Sequence, residues 1–309
     1  MRVPDVSVRG YRRLTASIVV LLGLIIVSGA AVRLTNSGLG CTDWPNCNAE
    51  SFISVDDHHE AIEQLNRLLS GVIGVPIVLA LVAAYRRRPR RHDLISLTWV
   101  LFALFLGQAV LGGITVLLDL AWVSVMGHFL LAIVLVGLAL TLHQRGREPD
   151  GPAHDVVPSS SRVAVRVVYA LTVWVLTAGT LVTAAGPHGG DIDAERLDWP
   201  IADVARLHGV SVVVLIAATL VMISVLRRDR APRRVMATAE ALIGAMCIQA
   251  LIGYVQYFNE IPALLVGFHV AGAVLVFSAV HQLHLELRRR EPTAGDASEQ
   301  SEVAQPATV

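Results

Sequence analysis

Eight apolar stretches of about 20 residues, parted by short polar segments, dominate the sequence and limit what the chain can fold into. The hydrocarbon of a bilayer offers the backbone no hydrogen-bonding partner, so a run of this kind crosses it as a helix spanning about 30 Å. The runs extend approximately over Leu14 to Val32, Ile62 to Tyr85, Leu94 to Leu118, Ala121 to Leu142, Val167 to Ala185, Val204 to Leu226, Met236 to Phe258 and Ile261 to Leu285. A content of 54% hydrophobic and 16% charged residues agrees with a membrane protein. The expected fold is an all-α integral membrane protein with eight transmembrane helices. The first run exceeds a typical signal-peptide core and Ser28-Gly29-Ala30 is a poor cleavage site, so it is read as a helix.

The distribution of arginine sets the orientation. All 25 basic residues are arginine, and 21 of them fall in or beside alternate loops. Arg2, Arg9, Arg12 and Arg13 precede the first span, and Arg86 to Arg91 follow the second. Arg145, Arg147, Arg162 and Arg166 lie between the fourth and fifth, Arg227 to Arg234 follow the sixth, and Arg288 to Arg290 follow the eighth. Positive loops stay in the cytoplasm, which predicts a multi-pass cell-membrane protein with both termini cytoplasmic. No nucleic-acid partner is expected.

The third and fourth spans repeat as the seventh and eighth. At an offset of 141, Gln108-Ala109 and Gly112 fall on Gln249-Ala250 and Gly253, His128 on His269, and His143 on His284. Gly29-x-x-Val32 and Gly179-x-x-Val182 support the same duplication at a slightly different offset. The pattern predicts two tandem, pseudo-symmetric four-helix bundles related by an axis along the membrane normal. Residues 1–143 form the first, 144–162 a cytoplasmic linker, 163–287 the second, and 288–309 a disordered tail rich in Ala, Glu, Ser, Thr and Pro.

Ionisable residues inside a span are expensive, so those present point to function. His208, His128 and His269 lie about 6, 10 and 12 Å inward from the outer ends of their runs, at 1.5 Å per residue. Neutral imidazole is the usual protein ligand of heme iron, and facing helices of a bundle are where such ligands are mounted. His208 and His269 can clamp one iron from both sides, which leaves no open position and suits storage or relay of electrons. In the first half His128 matches His269, whereas the counterpart of His208 is Asn66.

The alternative for any one of these histidines is a helix-to-helix hydrogen bond. His143, His281 and His284 sit at the cytoplasmic ends, where snorkelling explains them, and His92, His154 and His188 read as loop residues. Gln108 and Gln249 read as packing and hydrogen-bonding groups, and Cys247 as an inert packing residue of the seventh span. His58 and His59 precede the second span, and His59, seven residues before Asn66, shares its helix face. Glu63 either moves protons or forms an i,i+4 ion pair with Arg67. Arg33 and Arg67, near the outer surface, are candidate partners for heme propionates. Cys41 and Cys47 occupy the outer loop, where disulfides persist, and a bridge is expected if the turn at Asp43-Trp44-Pro45 brings their Cα atoms within about 7 Å.

The segment Gly29-Ala-Ala-Val-Arg-Leu-Thr-Asn-Ser-Gly-Leu-Gly-Cys-Thr-Asp-Trp-Pro-Asn-Cys47 closely resembles the first-helix and first-loop signature of the heme A synthase family. Glu63-x-x-Asn66-Arg67, Gly127-His128, Gly186-Pro-His-Gly-Gly-Asp191, Arg206-Leu-His208 and Gly267-Phe-His269 are similar to further motifs of that family. The resemblance implies a C-terminal bundle holding heme b through His208 and His269. It also implies an N-terminal bundle that takes heme O as substrate, with His128 as a ligand and Glu63 as an essential acid.

The implied reaction is stepwise oxidation of a porphyrin methyl to an aldehyde through a hydroxymethyl intermediate, serving cytochrome oxidase biogenesis. Many members carry His where this chain has Asn66. Either His58 or His59 then substitutes, or the substrate heme is five-coordinate on His128 and open to oxygen. The expected partners are heme O, a heme O synthase and a membrane electron donor, since no nucleotide or flavin motif is present; a homo-oligomer is a further possibility. The competing functions are a membrane cytochrome b that relays electrons and a heme carrier without catalysis.

Overall fold

A computed structural model describes residues 6–291. Eight long helices account for about three quarters of it: α1 (Val8–Leu34), α2 (His58–Arg86), α3 (His92–Leu117), α4 (Trp122–Arg147), α5 (Ser159–Ala185), α6 (Ile201–Arg228), α7 (Arg233–Phe258) and α8 (Ala263–Glu286). Each is long and apolar enough to cross a membrane. Their starts are set locally. The Ser7 hydroxyl accepts from the Gly10 amide at α1 and the Asp57 carboxylate from the His59 amide at α2. All four helices of the second half begin directly after a proline, at Pro158, Pro200, Pro232 and Pro262. Proline lacks the N–H that a helix start could not satisfy, and it breaks any helix arriving from the N-terminal side.

Within the first half α1 packs on α2, α2 on α3, α3 on α4 and α4 back on α1; α5 to α8 close the same ring. The halves meet where α8 lies against α1 and α4, and where α4 touches α5. The duplication extends to the element ends. Shifting α3 by 141 residues reproduces both ends of α7, and the left-handed residues Asp119 and Leu120 of the α3–α4 turn recur as Glu260 and Ile261. The α1–α2 loop has 23 residues and the α5–α6 loop 15, which explains why the offset drops by eight between the first and second helices of the repeat.

The linker is shorter than its sequence suggests, because α4 continues to Arg147 and α5 starts at Ser159. Between them β1 (Ala153–Asp155) pairs antiparallel with β2 (Arg288–Arg290), so the first residues of the expected tail are ordered. Residues 292–309 of that tail, and Arg2, lie outside the described residues.

His281 does not snorkel. It is buried at the seam between the halves, over Gly137 of α4. Its Nε2 is 2.9 Å from the Thr141 hydroxyl of α4 and its Nδ1 2.9 Å from the Tyr169 hydroxyl of α5. Both ring nitrogens are thus satisfied away from water, which removes the penalty of burial. His143 makes a similar contact with Thr15 of α1 at 3.0 Å. Cys247 differs too, facing outward from α7 where lipid would lie rather than packing inside.

Candidate functional site

The polar groups of each bundle gather toward the face opposite the arginines. In the second half all four helices contribute. His208 on α6 and His269 on α8 face each other with ring centres 6.3 Å apart and planes at 76°. Each ring rests on a glycine of the next helix. A Cβ on Gly179 of α5 would sit 3.2 Å from Cε1 of His208, and one on Gly253 of α7 only 2.8 Å from Cε1 of His269. One turn before Gly253, the Gln249 amide donates to the His269 backbone carbonyl at 2.6 Å.

The first half repeats this arrangement with one change. His128 on α4 rests on Gly112 of α3, where a Cβ would be 3.0 Å from its Cε1, and the Gln108 amide donates to the His128 carbonyl at 3.0 Å. Gln108 and Gln249 are therefore helix-to-helix hydrogen-bonding groups. On the other side Asn66 of α2 takes the place of His208, and its Oδ1 accepts from the Ser28 hydroxyl of α1 at 2.7 Å. A Cβ on the neighbouring Gly29 would meet nothing within 4 Å, whereas its counterpart Gly179 is covered by an imidazole.

The donor set fits iron porphyrin. The Nδ1 atoms of His128, His208 and His269 are enclosed and have no hydrogen-bond partner, an expensive state for an imidazole that binds nothing. Two imidazoles each about 2 Å from one metal have centres about 6 Å apart, in line with the separation of His208 and His269.

Glu63 and Arg67 belong to the cap over the first bundle. One carboxylate oxygen of the buried Glu63 accepts from Arg67 Nε at 3.0 Å and Nη2 at 2.7 Å, and the other from the Cys41 amide at 2.8 Å. Arg67 also donates to the carbonyls of Asp43, Asn46 and Cys41, at 3.0, 2.9 and 3.5 Å. These bonds engage all three nitrogens of its guanidinium, so Arg67 clamps the outer loop to α2 and has no fork left for a propionate. Arg33 gives Nη1 to the His188 carbonyl at 2.8 Å.

The loop itself is closed by a disulfide between Cys41 and Cys47, whose Cα atoms are 4.4 Å apart. Trp44, within the bridged segment, lies flat on Gly113 of α3. The two outer loops touch where the Gly38 amide donates to the Gly190 carbonyl at 2.8 Å. Gly190 has φ of +107° and a Cβ there would strike Leu120, so glycine is required at this junction.

His58 and His59 take no part in the bundle interior. His58 pairs with Asp57 at 2.8 Å in the open, and Nδ1 of His59 lies 2.9 Å from the Ser37 hydroxyl. These three residues bring ligand atoms within 4.8 Å of one another, but Asp57 is also the α2 cap. Sequence reasoning missed Ser28, Gly179 and the loop clamp of Arg67. The glycine match at 29 and 179 was visible, but nothing local tells which side chain a glycine accommodates.

Comparison with known proteins gives a consistent picture. The profile of the COX15-CtaA family, described as cytochrome oxidase assembly protein, matches residues 12–64 and 54–187. A heme A synthase of Shewanella oneidensis is 32% identical over 141 residues, 40% of this chain and 42% of that protein. One from Geobacillus thermodenitrificans is 30% identical over 150 residues, 47% of each chain. The chain thus spans a little under half the length of these two relatives. A heme A synthase of Rhizorhabdus wittichii aligns over 85% of this chain and 90% of its own length at 24% identity. Since the family profile covers more than half of the sequence, from the first helix through the fifth, this multi-pass membrane chain belongs to the COX15-CtaA family of cytochrome oxidase assembly proteins.

Proposed function

We propose that the chain is a heme A synthase, oxidising the ring methyl of heme O to the formyl group of heme A through a hydroxymethyl intermediate. The observation that carries this reading is the broken symmetry of the repeat. One half keeps two facing histidines, at 6.3 Å between ring centres, and the other keeps one histidine and carries Asn66 at the position equivalent to His208. A relay favours two equivalent, doubly ligated hemes, whereas turnover needs an iron with an open position.

In this reading His208 and His269 hold heme b, and His128 binds the substrate heme from α4. Bound there, the iron porphyrin supplies the redox chemistry of oxygen activation. Asn66, held by Ser28, is too weak a ligand to close the opposite face. Glu63 is the proton-handling group at the mouth of the first bundle, with its charged form stabilised by Arg67 and the Cys41 amide. Arg33, with only one nitrogen engaged by His188, is the remaining guanidinium suited to a propionate. The arginine-rich loops face the cytoplasm with both termini, so the two sites and the disulfide lie toward the outer face. A heme O synthase supplies the substrate, and a membrane protein or quinol supplies electrons.

The test is chromatography with mass detection of hemes extracted from protein purified from cells that make heme O, beside a Glu63→Gln variant. Heme A or the hydroxymethyl intermediate in the wild type, stalled in the variant, is the expected result. Heme b alone, or unaltered heme O in both, would replace the synthase by an electron relay or a carrier.

A further inference from the structure

Away from both heme sites, at the arginine-rich end of the second bundle, Asp155, Arg162, Arg166, His284, Leu287 and Arg288 line a cleft of about 150 Å³. It lies where β1, the start of α5 and the end of α8 converge. Three arginines face one aspartate, and that aspartate is already shared: Asp155 pairs with Arg162 and, at 3.1 Å, with Arg288. These pairs hold two guanidinium groups in fixed orientation without cancelling the positive excess.

Two nitrogens in the cleft are enclosed without a hydrogen-bond partner among the described residues, Nε of Arg162 and Nδ1 of His284. Enclosed polar groups without partners are costly, so the wall of the cleft is an incompletely satisfied polar network. Arg166 lines the same cavity and is exposed. Val163 and Val167, which directly follow Arg162 and Arg166 on α5, are about half exposed and offer apolar surface next to the cleft residues.

We infer that this cleft binds a phosphate group, with Arg166 and Arg288 as its charge partners. Planar guanidinium forks match phosphate oxygens, and basic pockets at the cytoplasmic ends of transmembrane helices take the headgroups of anionic phospholipids. The exposed valines favour a lipid, whose acyl chains would run down α5, over free phosphate. Because Asp155 ties β1 to both α5 and β2, the bound headgroup would brace the connector between the two bundles.

The experiment uses the full chain, delipidated in neutral detergent, and reads the thermal unfolding midpoint. Dioctanoylphosphatidylglycerol, dioctanoylphosphatidylcholine and sodium phosphate are compared with sodium chloride at equal ionic strength. The wild type should gain about 5 °C with the phosphatidylglycerol and little with the phosphatidylcholine. Arg166→Gln and Arg288→Gln should each lose at least half of the gain, while Arg9→Gln, on α1 of the first bundle, should keep it. Stabilisation by sodium phosphate that equals the lipid's, and is lost in Arg166→Gln, would assign the same cleft to the free ion. No anion-specific gain, or a gain unchanged in both cleft variants, would overturn the site.

Discussion

At the scale of single residues, position 66 carries the most consequence. Asn66 is short, polar and held by Ser28 at 2.7 Å, while Gly29 leaves open space where its counterpart Gly179 receives His208. An imidazole at 66 therefore has room to reach toward His128 without displacing helix α1. Asn66→His should convert the substrate heme from high-spin to low-spin in optical and paramagnetic resonance spectra and lower turnover about tenfold or more. A persistent high-spin signal would mean that residue 66 does not face the iron held by His128. The correspondence of His128 with His269, and of Asn66 with His208, was legible in sequence because the repeat aligns them. The role of Arg67 was not, because its partners are backbone carbonyls of a loop far from it in sequence.

Between elements, the pairing of α3 with α4 and of α7 with α8 uses the same two devices. A glutamine bonds the histidine's carbonyl, and a glycine one turn later admits the histidine ring. Gly253→Ala places a methyl 2.8 Å from Cε1 of His269, and overpacking of this kind costs about 1–3 kcal/mol. The variant should be purified with less bound heme and a lower thermal midpoint, while Gly244→Ala, with nothing within 4 Å, should match the wild type in both. Gln249→Leu should weaken the α7–α8 contact by about 1 kcal/mol, measured by unfolding in mixed micelles.

At the opposite face, Asp229 ties the end of α6 to the start of α5. The hydroxyls of Ser160 and Ser161 donate to it and hold its carboxyl below the ordinary range. A depressed carboxyl stabilises the fold above its unfolded value, about 3.9, and loses that contribution as pH falls through the folded value. Hydrogen exchange in the first turn of α5 should therefore accelerate as the pH is lowered below about 4. With Ser160→Ala and Ser161→Ala combined, exchange there should already be faster at neutral pH and the change on acidification should largely disappear.

Across the whole molecule, two closed rings of four helices stand side by side and share one polar seam centred on His281. Leu140 occupies the equivalent position in the first half, so the seam is not part of the repeat and serves the joining of the halves. His281→Leu leaves the half-buried Tyr169 hydroxyl without this partner and should destabilise by about 1 kcal/mol in detergent unfolding. Lying twelve residues, or about 18 Å, along α8 from His269, the change should leave the heme b spectrum intact. A lost spectrum would show that the seam positions the heme site.

Eight spans, their alternating direction and the internal duplication were determined by the sequence alone. The bilayer forces each long apolar run into a helix, and arginine in alternate loops orders them, so neither property waits on tertiary contacts. The tertiary structure decided which polar group each intramembrane residue meets. Helix rotation and loop docking depend on packing between segments over a hundred residues apart, and no local pattern encodes them. The facing of His208 and His269, the pairing of Asn66 with Ser28, the locking of Glu63 under the disulfide loop and the burial of His281 are all of that kind.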